Sequence, residues 1–318
     1  MSKEFQKRWG PWVEWLYVLL AFWTVLLSIF PMVPPLRFFE EYAHHWMFLY
    51  LFLGLVFLVF HWPRLMWTSF MASAALSIFL KYSSNPQLQY RPREDLPDVR
   101  IAQVSLTELS LPMDTLRDYL AHARADVVLF EGWTPMHERM LTGALQLVYP
   151  HSVRMVRADD HGKACFSRIT IEQYDTLFTG EFPQLMTFHK TLDGRRLYVV
   201  NVYFAPPITP LFQQQYHRQM RQLIDSLRII KAPLVVGGHF HLPSWAYELR
   251  FLRSALRLQN SRRDVLRAAE GSIDLSTPMQ HLFYNDSLQC VGFEKLMTAS
   301  GEDIGIIARY QWIEVVHL

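Results

Sequence analysis

Residues 11–82 contain only six Asp, Glu, Lys or Arg side chains: Glu14, Arg37, Glu40, Glu41, Arg64 and Lys81. A stretch so poor in charge cannot coat a water-soluble globule and asks for an apolar surrounding. Residues 12–33 read WVEWLYVLLAFWTVLLSIFPMV. About 22 residues at about 1.5 Å each match the roughly 30 Å of bilayer hydrocarbon. Residues 45–62 and 65–82 form two further apolar runs on either side of Pro63-Arg64, which predicts a tight transmembrane hairpin. No cleaved leader is expected, because Phe30-Pro31-Met32 offers no small-residue cleavage site.

Three spans place the two ends of the anchor on opposite sides. Trp9, Trp12, Trp15, Trp46, Trp62, Trp67 and Tyr82 lie near the span ends, where amphipathic rings anchor helices at headgroup level. Lys3, Lys7, Arg8 and Arg64 on one side balance Arg37, Lys81, Arg91 and Arg93 on the other. The charges nearest the first span favour a cytoplasmic N-terminus, which would place the C-terminal domain outside the cytoplasmic membrane. The lipid bilayer is the partner these runs imply. Residues 83–98, polar and carrying three prolines, read as a linker.

From residue 99 the pattern changes. VRIAQVSL, ADVVLFE, RLYVVNVYF, APLVVGGHF and GIIARYQWIEVV read as short apolar strands. Residues 112–124 and 212–230 carry apolar side chains at helical spacing, with Met220, Leu223, Ile224 and Leu227 in the second. The expected organisation is an anchor over 1–82, a linker over 83–98 and an α/β domain over 99–318. Residues 1–98 hold 8 basic and 7 acidic side chains, leaving 23 and 22 for the domain. A domain so nearly neutral argues against nucleic acid as the partner. Cys165 and Cys290 form no metal-binding spacing and no disulfide framework.

Strand ends are where α/β domains place chemistry. ADVVLFEGW brings Glu131 to the exit of a buried strand, where a lone carboxylate needs a partner or a metal. APLVVGGHFHLPSW runs into Gly237-Gly238, whose missing side chains allow close backbone approach. It then presents His239 and His241 on one face, with Phe240 turned into the core. Asp159-Asp160-His161, in a Gly-containing loop, reads as a solvated turn. Ser110, Ser152 and Ser244 lie in no Gly-x-Ser-x-Gly elbow, and no phosphate-binding or dinucleotide fingerprint occurs.

The order of these segments resembles the endonuclease/exonuclease/phosphatase superfamily, in particular a bacterial branch with three N-terminal spans. The resemblance implies a two-sheet α/β sandwich. ADVVLFE keeps the family's Asp and metal-binding Glu as Asp126 and Glu131, and Ser167-Arg168, Pro243 and Trp245 match its scaffold. The reactive positions differ. Ser105 stands at the family Asn and Tyr203 at the strand His. Gly238-His239-Phe240-His241 replaces the GDFN motif, Gln280-His281 the late Asp-His motif, and Gly301-Glu302-Asp303 the terminal SDH.

In that family the missing groups hold Mg²⁺, orient the attacking water and stabilise the transition state. Several such losses together leave little rate. The resemblance therefore implies a pseudoenzyme without a cofactor in a bacterial inner membrane, its domain extracytoplasmic, used to bind or assemble envelope proteins. The alternative is a phosphodiesterase or phosphatase rebuilt around Glu131, His239, His241 and Asp303, a set suited to Zn²⁺, Mn²⁺ or Fe²⁺ rather than Mg²⁺. Its substrate would be a lipid-linked or envelope phosphoester.

Overall fold

In the computed structural model the apolar N-terminal stretch forms helices packed on one another. The structure describes residues 3–31, 36–84, 92–107, 116, 118–120, 123–191, 193–262, 277–297 and 303–313. Helix α1 (Lys3–Ile29) is followed by a single turn, α2 (Phe38–Glu41), and by α3 (Ala43–Val59) and α4 (Pro63–Ser84). Helices α3 and α4 pack as a pair, and α1 lies against α4. Ala21, Tyr50, Ala72 and Leu76 pack together between the helices, while Trp12, Leu16, Phe22, Phe52 and Trp67 face outward and exposed. Arg64 and Glu14 pair at 3.0 Å.

Measured against the expected three spans, one helical segment among the described residues, Pro11–Ile29, is long and apolar enough to cross a membrane. Ala43–Val59 is apolar but shorter. In α4 the serines Ser69, Ser73 and Ser77 dilute the hydrophobicity; Ser69 and Ser77 donate back to carbonyls of their own helix and Ser73 donates across to the Met47 carbonyl of α3.

The α/β part contains two six-stranded sheets. The first has the order β11 (Leu288–Met297), β12 (Asp303–Trp312), β1 (Asp98–Ser105), β2 (Val127–Glu131), β4 (Lys163–Ser167), β3 (His151–Met155). The second runs β5 (Thr170–Thr179), β6 (Phe182–Lys190), β7 (Arg196–Tyr203), β8 (Leu234–His239), β10 (Gln280–Tyr284), β9 (Gln259–Asn260). Strands β1 and β2 are parallel, as are β7 and β8.

The alternation of side chains along these strands makes three apolar layers. Ile101, Val127, Leu129 and Cys165 of the first sheet meet Val199, Val235, Leu282 and Tyr284 of the second. The outer face of the first sheet holds Val128 and Phe130 against Leu141 and Leu145 of α5 (Pro135–Gln146). The outer face of the second holds Val202 and Val236 against α6 (Pro210–Leu227) and α7 (Tyr247–Leu256), through Tyr216, Met220, Leu223 and Leu249. Each fully buried side chain of this size contributes about 1.5–3 kcal/mol. The result is a four-layer α/β sandwich.

Anchor and sandwich meet at a buried polar junction. The Arg37 guanidinium donates to Glu248 Oε2 at 2.8 Å, and His217 Nε2 bonds Glu248 Oε1 at 2.8 Å. Trp245 Nε1 donates to the Glu40 carbonyl at 2.7 Å and the Tyr247 amide to Glu40 Oε1 at 2.9 Å. Arg253 donates to the Ser83 carbonyl at 2.7 Å. The expected linker is tied down in its described part: Gln311 accepts from the Arg93 amide and donates to the carbonyls of Arg93 and Leu96. The predicted helix over 112–124 lies largely outside the described residues.

Candidate functional site

The same alternation that builds the middle layer carries a row of polar residues to one end of it. In β2, Val127 and Leu129 face the opposite sheet, so Glu131 does too. By this parity Gln103 and Ser105 in β1, Lys163 in β4, Asn201 and Tyr203 in β7, His239 in β8 and Gln280 in β10 all point between the sheets. Register brings them together: Ser105 lies beside Glu131, Glu131 opposite Lys163, Tyr203 beside His239, and His239 opposite Gln280.

Two close backbone approaches fix this end. A side chain at Gly162 would meet the Trp133 carbonyl oxygen at 2.2 Å, so only glycine lets the loop before β4 lie on the chain after Glu131. One at Gly238 would meet the Val202 carbonyl oxygen at 1.9 Å, which holds β8 against β7 beside the histidines.

Glu131 is fully buried, and Gln103 Nε2 donates to its Oε1 at 2.7 Å. Lys163 is equally buried, and its Nζ donates to the carbonyls of His161 at 3.2 Å and Pro183 at 2.9 Å. Burial pulls the Lys163 pKa down, and the Glu131 charge works against that pull. Asn201 Nδ2 donates to the Phe130 carbonyl at 2.8 Å. The Tyr203 amide donates to Gln184 Oε1 at 2.9 Å.

Around them stands a cluster of rings. His239 and His241 stack with centroids 3.9 Å apart, although β8 ends at His239 and His241 adopts a left-handed φ of 52°. Tyr203 meets His161, His239 and His241 edge-on at 5.0, 6.4 and 5.4 Å. Phe240 is turned away into the outer layer, against Phe204 and Phe283. Burial, then the neighbouring His241, pushes His239 down to about 3. Burial lowers His241 to about 4, and burial followed by Lys163 lowers His161 to about 4. All three imidazoles are neutral at pH 7. His239 Nδ1 and His241 Nε2 are buried without a hydrogen-bond partner among the described residues.

Several sequence-derived residues are not brought here. His281 alternates with Leu282 and so turns to the outer face, where its Nε2 bonds the Leu242 carbonyl at 2.8 Å and its ring stacks on Phe283. Asp303 pairs with Lys295 at 3.7 Å and is half exposed. Glu302 and Ser110 lie outside the described residues. Cys165 and Cys290 are separate, buried free thiols. Among the described residues no three His, Cys, Asp or Glu side chains, the set Glu131, His239, His241 and Asp303 included, come together to hold a metal ion.

Two members were missed. His161, read as part of a solvated turn, is buried with its ring stacked on Phe182 at 3.9 Å. Lys163 was overlooked, though a lysine opening the apolar run KACF directly after a glycine signals a cation drawn into a core.

Among the described residues Glu131 is the one carboxylate of this cluster, and its Oε1 already accepts from Gln103, so the acidic oxygens alone fall short of the near-octahedral oxygen set that Mg²⁺ asks for. Gln103 Oε1, Asn201 Oδ1 and Gln280 Oε1, which point between the sheets, are buried without a hydrogen-bond partner among the described residues. Beside them the arrangement offers the Lys163 amine, neutral imidazoles and the Tyr203 ring.

No family model matches the sequence, and no curated protein is similar to it. Solved structures do match in shape. An endonuclease/exonuclease/phosphatase from Bacteroides vulgatus superposes with a TM-score of 0.55 at 12% identity, covering 68% of this chain and 100% of that one. The fold is that of the endonuclease/exonuclease/phosphatase proteins. One from Beutenbergia cavernae gives a TM-score of 0.54 at 11% identity, covering 68% and 72%. D. rerio TDP2, solved with a single-strand DNA product, gives 0.53 at 12%, covering 67% and 98%. At such identities the endonuclease/exonuclease/phosphatase fold is what is shared.

Proposed function

We propose that this chain is a membrane-anchored protein whose endonuclease/exonuclease/phosphatase-like domain has lost hydrolytic chemistry and serves to bind or assemble partners of a bacterial envelope. The observation that carries this reading is that Glu131 and Lys163, both fully buried, stand opposite one another in the β2–β4 register, where the Glu131 charge acts against the burial that pulls Lys163 down. The lysine supplies from within the chain the positive charge that a phosphoesterase takes from a metal, and it neutralises the carboxylate a metal would need. Beside it, His239 and His241 stand where the family resemblance implies carboxylate and amide, and neutral imidazoles activate no water through a negative charge.

The anchor is read as three spans, α1, α3 and α4, in an inner membrane, with the sandwich on the extracytoplasmic side. Supporting this are one helix of spanning length, an outward-facing apolar surface on its neighbours, and the sandwich held at the far end from Glu14 and Arg64. A reporter fused after Leu318 tests the side: an extracytoplasmic signal is expected, and a cytoplasmic one reverses the orientation.

The deciding experiment is hydrolysis of bis(p-nitrophenyl) phosphate by the purified full-length protein with Mg²⁺, Mn²⁺ or Zn²⁺, alongside metal analysis. No turnover above the blank and no stoichiometric metal are expected. Turnover lost in both Glu131→Ala and His239→Ala would overturn the reading in favour of a metal-dependent phosphoesterase acting on a lipid-linked or envelope phosphoester.

A further inference from the structure

We infer that the sandwich itself rests on the bilayer, through residues 208–212 and the exposed face of α7, in the headgroup layer of the membrane that the apolar helices cross. The inference rests on the membrane reading above and adds to it a second, extrahelical contact.

Its first support is topological. Strands β7 and β8 are parallel, and the turn that follows β8 carries Trp245, whose indole bonds Glu40 between α1 and α3. The carboxyl ends of β7 and β8 therefore face the anchor. Helix α6 connects these two strands and must run back across the sheet, so its first turn lies at that same end. His217, two turns into α6, joins Glu248 and through it Arg37.

The second support is the surface found there. Ile208 is 73% exposed and Leu211 71%, with Phe212 also exposed. Residues 197–217 contain no Asp, Glu, Lys or Arg. On α7, Tyr247 and Phe251, one turn apart, are exposed as well. With His217, Met220, Arg221 and Glu248 they line a cleft of about 80 Å³. Apolar side chains backed by an arginine and a tyrosine are the composition of a surface that beds into the headgroup boundary. A soluble face would scatter such residues singly among charges.

Depth-dependent quenching tests the contact on the full-length protein in phosphatidylcholine–phosphatidylglycerol vesicles. Ile208→Cys and Leu211→Cys carry an environment-sensitive fluorophore; both positions are exposed, and the native thiols are buried. Phe52→Cys reports on the anchor, and Ile229→Cys on an exposed apolar position past the other end of α6. Lipids brominated near the headgroup are expected to quench the labels at 208 and 211 strongly, those brominated near the chain ends weakly, and neither to quench 229. Labels at 208 and 211 that stay bright while 52 is quenched would overturn the contact and leave the anchor standing. Loss of quenching at 52 as well would overturn the membrane reading and the contact with it.

Discussion

The junction and the pocket are both buried polar clusters within one small molecule, yet they are wired in opposite ways. At the junction, burial would raise Glu248, but bonds from His217 and the Arg37 charge outweigh it and hold the carboxylate below its usual range. Its two oxygens are used by two different elements. In the pocket, burial dominates, and His239, His241 and His161 stay neutral instead of finding counter-charges. At the junction one carboxylate is held charged by two elements, although Arg37 Nε and Nη1 and Glu40 Oε2 are buried there without hydrogen-bond partners among the described residues and burial pushes Glu40 up to about 8, whereas in the pocket the imidazoles are held neutral.

Breaking the junction gives the largest expected effect. Glu248→Ala takes from the buried Arg37 guanidinium its hydrogen-bonded carboxylate, leaving only Glu40 at 3.8 Å, and is expected to cost about 3 kcal/mol, read from urea unfolding of the detergent-solubilised protein. An Arg37→Met, Glu248→Met pair is expected to lose less than either single alanine variant. Equal losses would show that packing, not charge pairing, holds the two parts.

In the pocket, Glu131→Ala is expected to cost about 3 kcal/mol, because Lys163 is then a buried cation without its anion. Adding Lys163→Met is expected to restore most of that loss. A double variant no more stable than the single one would remove the pairing on which the pseudoenzyme reading stands.

Acid sharpens the contrast further. An imidazole whose folded pKa lies below its unfolded value of about 6.5 binds fewer protons in the native state, so stability is full above 6.5 and falls as pH drops toward 4 and 3. Replacing both His239 and His241 by Gln is expected to flatten that slope by about 1–2 kcal/mol per pH unit. Chemical unfolding at pH 7, 6 and 5 measures it. An unchanged slope would assign the acid response to His189 and His281, which burial also lowers to about 3.

The smallest effect sets the floor. Arg154 and Glu138 pair at 2.9 Å with both side chains partly in water, and Arg154→Ala is expected to cost about 0–1 kcal/mol. A thermal melt that moves more than this would mean that the outer face of the first sheet is less secure than its packing implies.

How much of this was legible beforehand follows from which signals are local. Apolar runs such as VVLF and LVVGG announce buried strands, and Gly237-Gly238 announces a close approach, because those properties belong to a few adjacent residues. Strand β5 escaped, since Glu172, Gln173 and Asp175 dilute a strand that is mostly exposed. The junction escaped for another reason. Arg37 and Glu40 read as charges beside a membrane span, and nothing nearby reveals that their partners lie some 200 residues on. His281 illustrates the reverse error: adjacency in a motif suggested a shared site, and strand parity sent it to the other face.

Strand β1 sits between β2, its near neighbour in sequence, and β12, which arrives at residues 303–312. The first sheet therefore keeps an unfilled slot at its centre until residues 303–312 have been made. The helices, joined by short connections, can settle early. Between those two moments β1 and β11 each present an open edge to whatever is near. A chaperone acting on this chain is expected to be needed in that interval, and a short peptide copying β12, added during refolding, is expected to capture the waiting slot and stall closure.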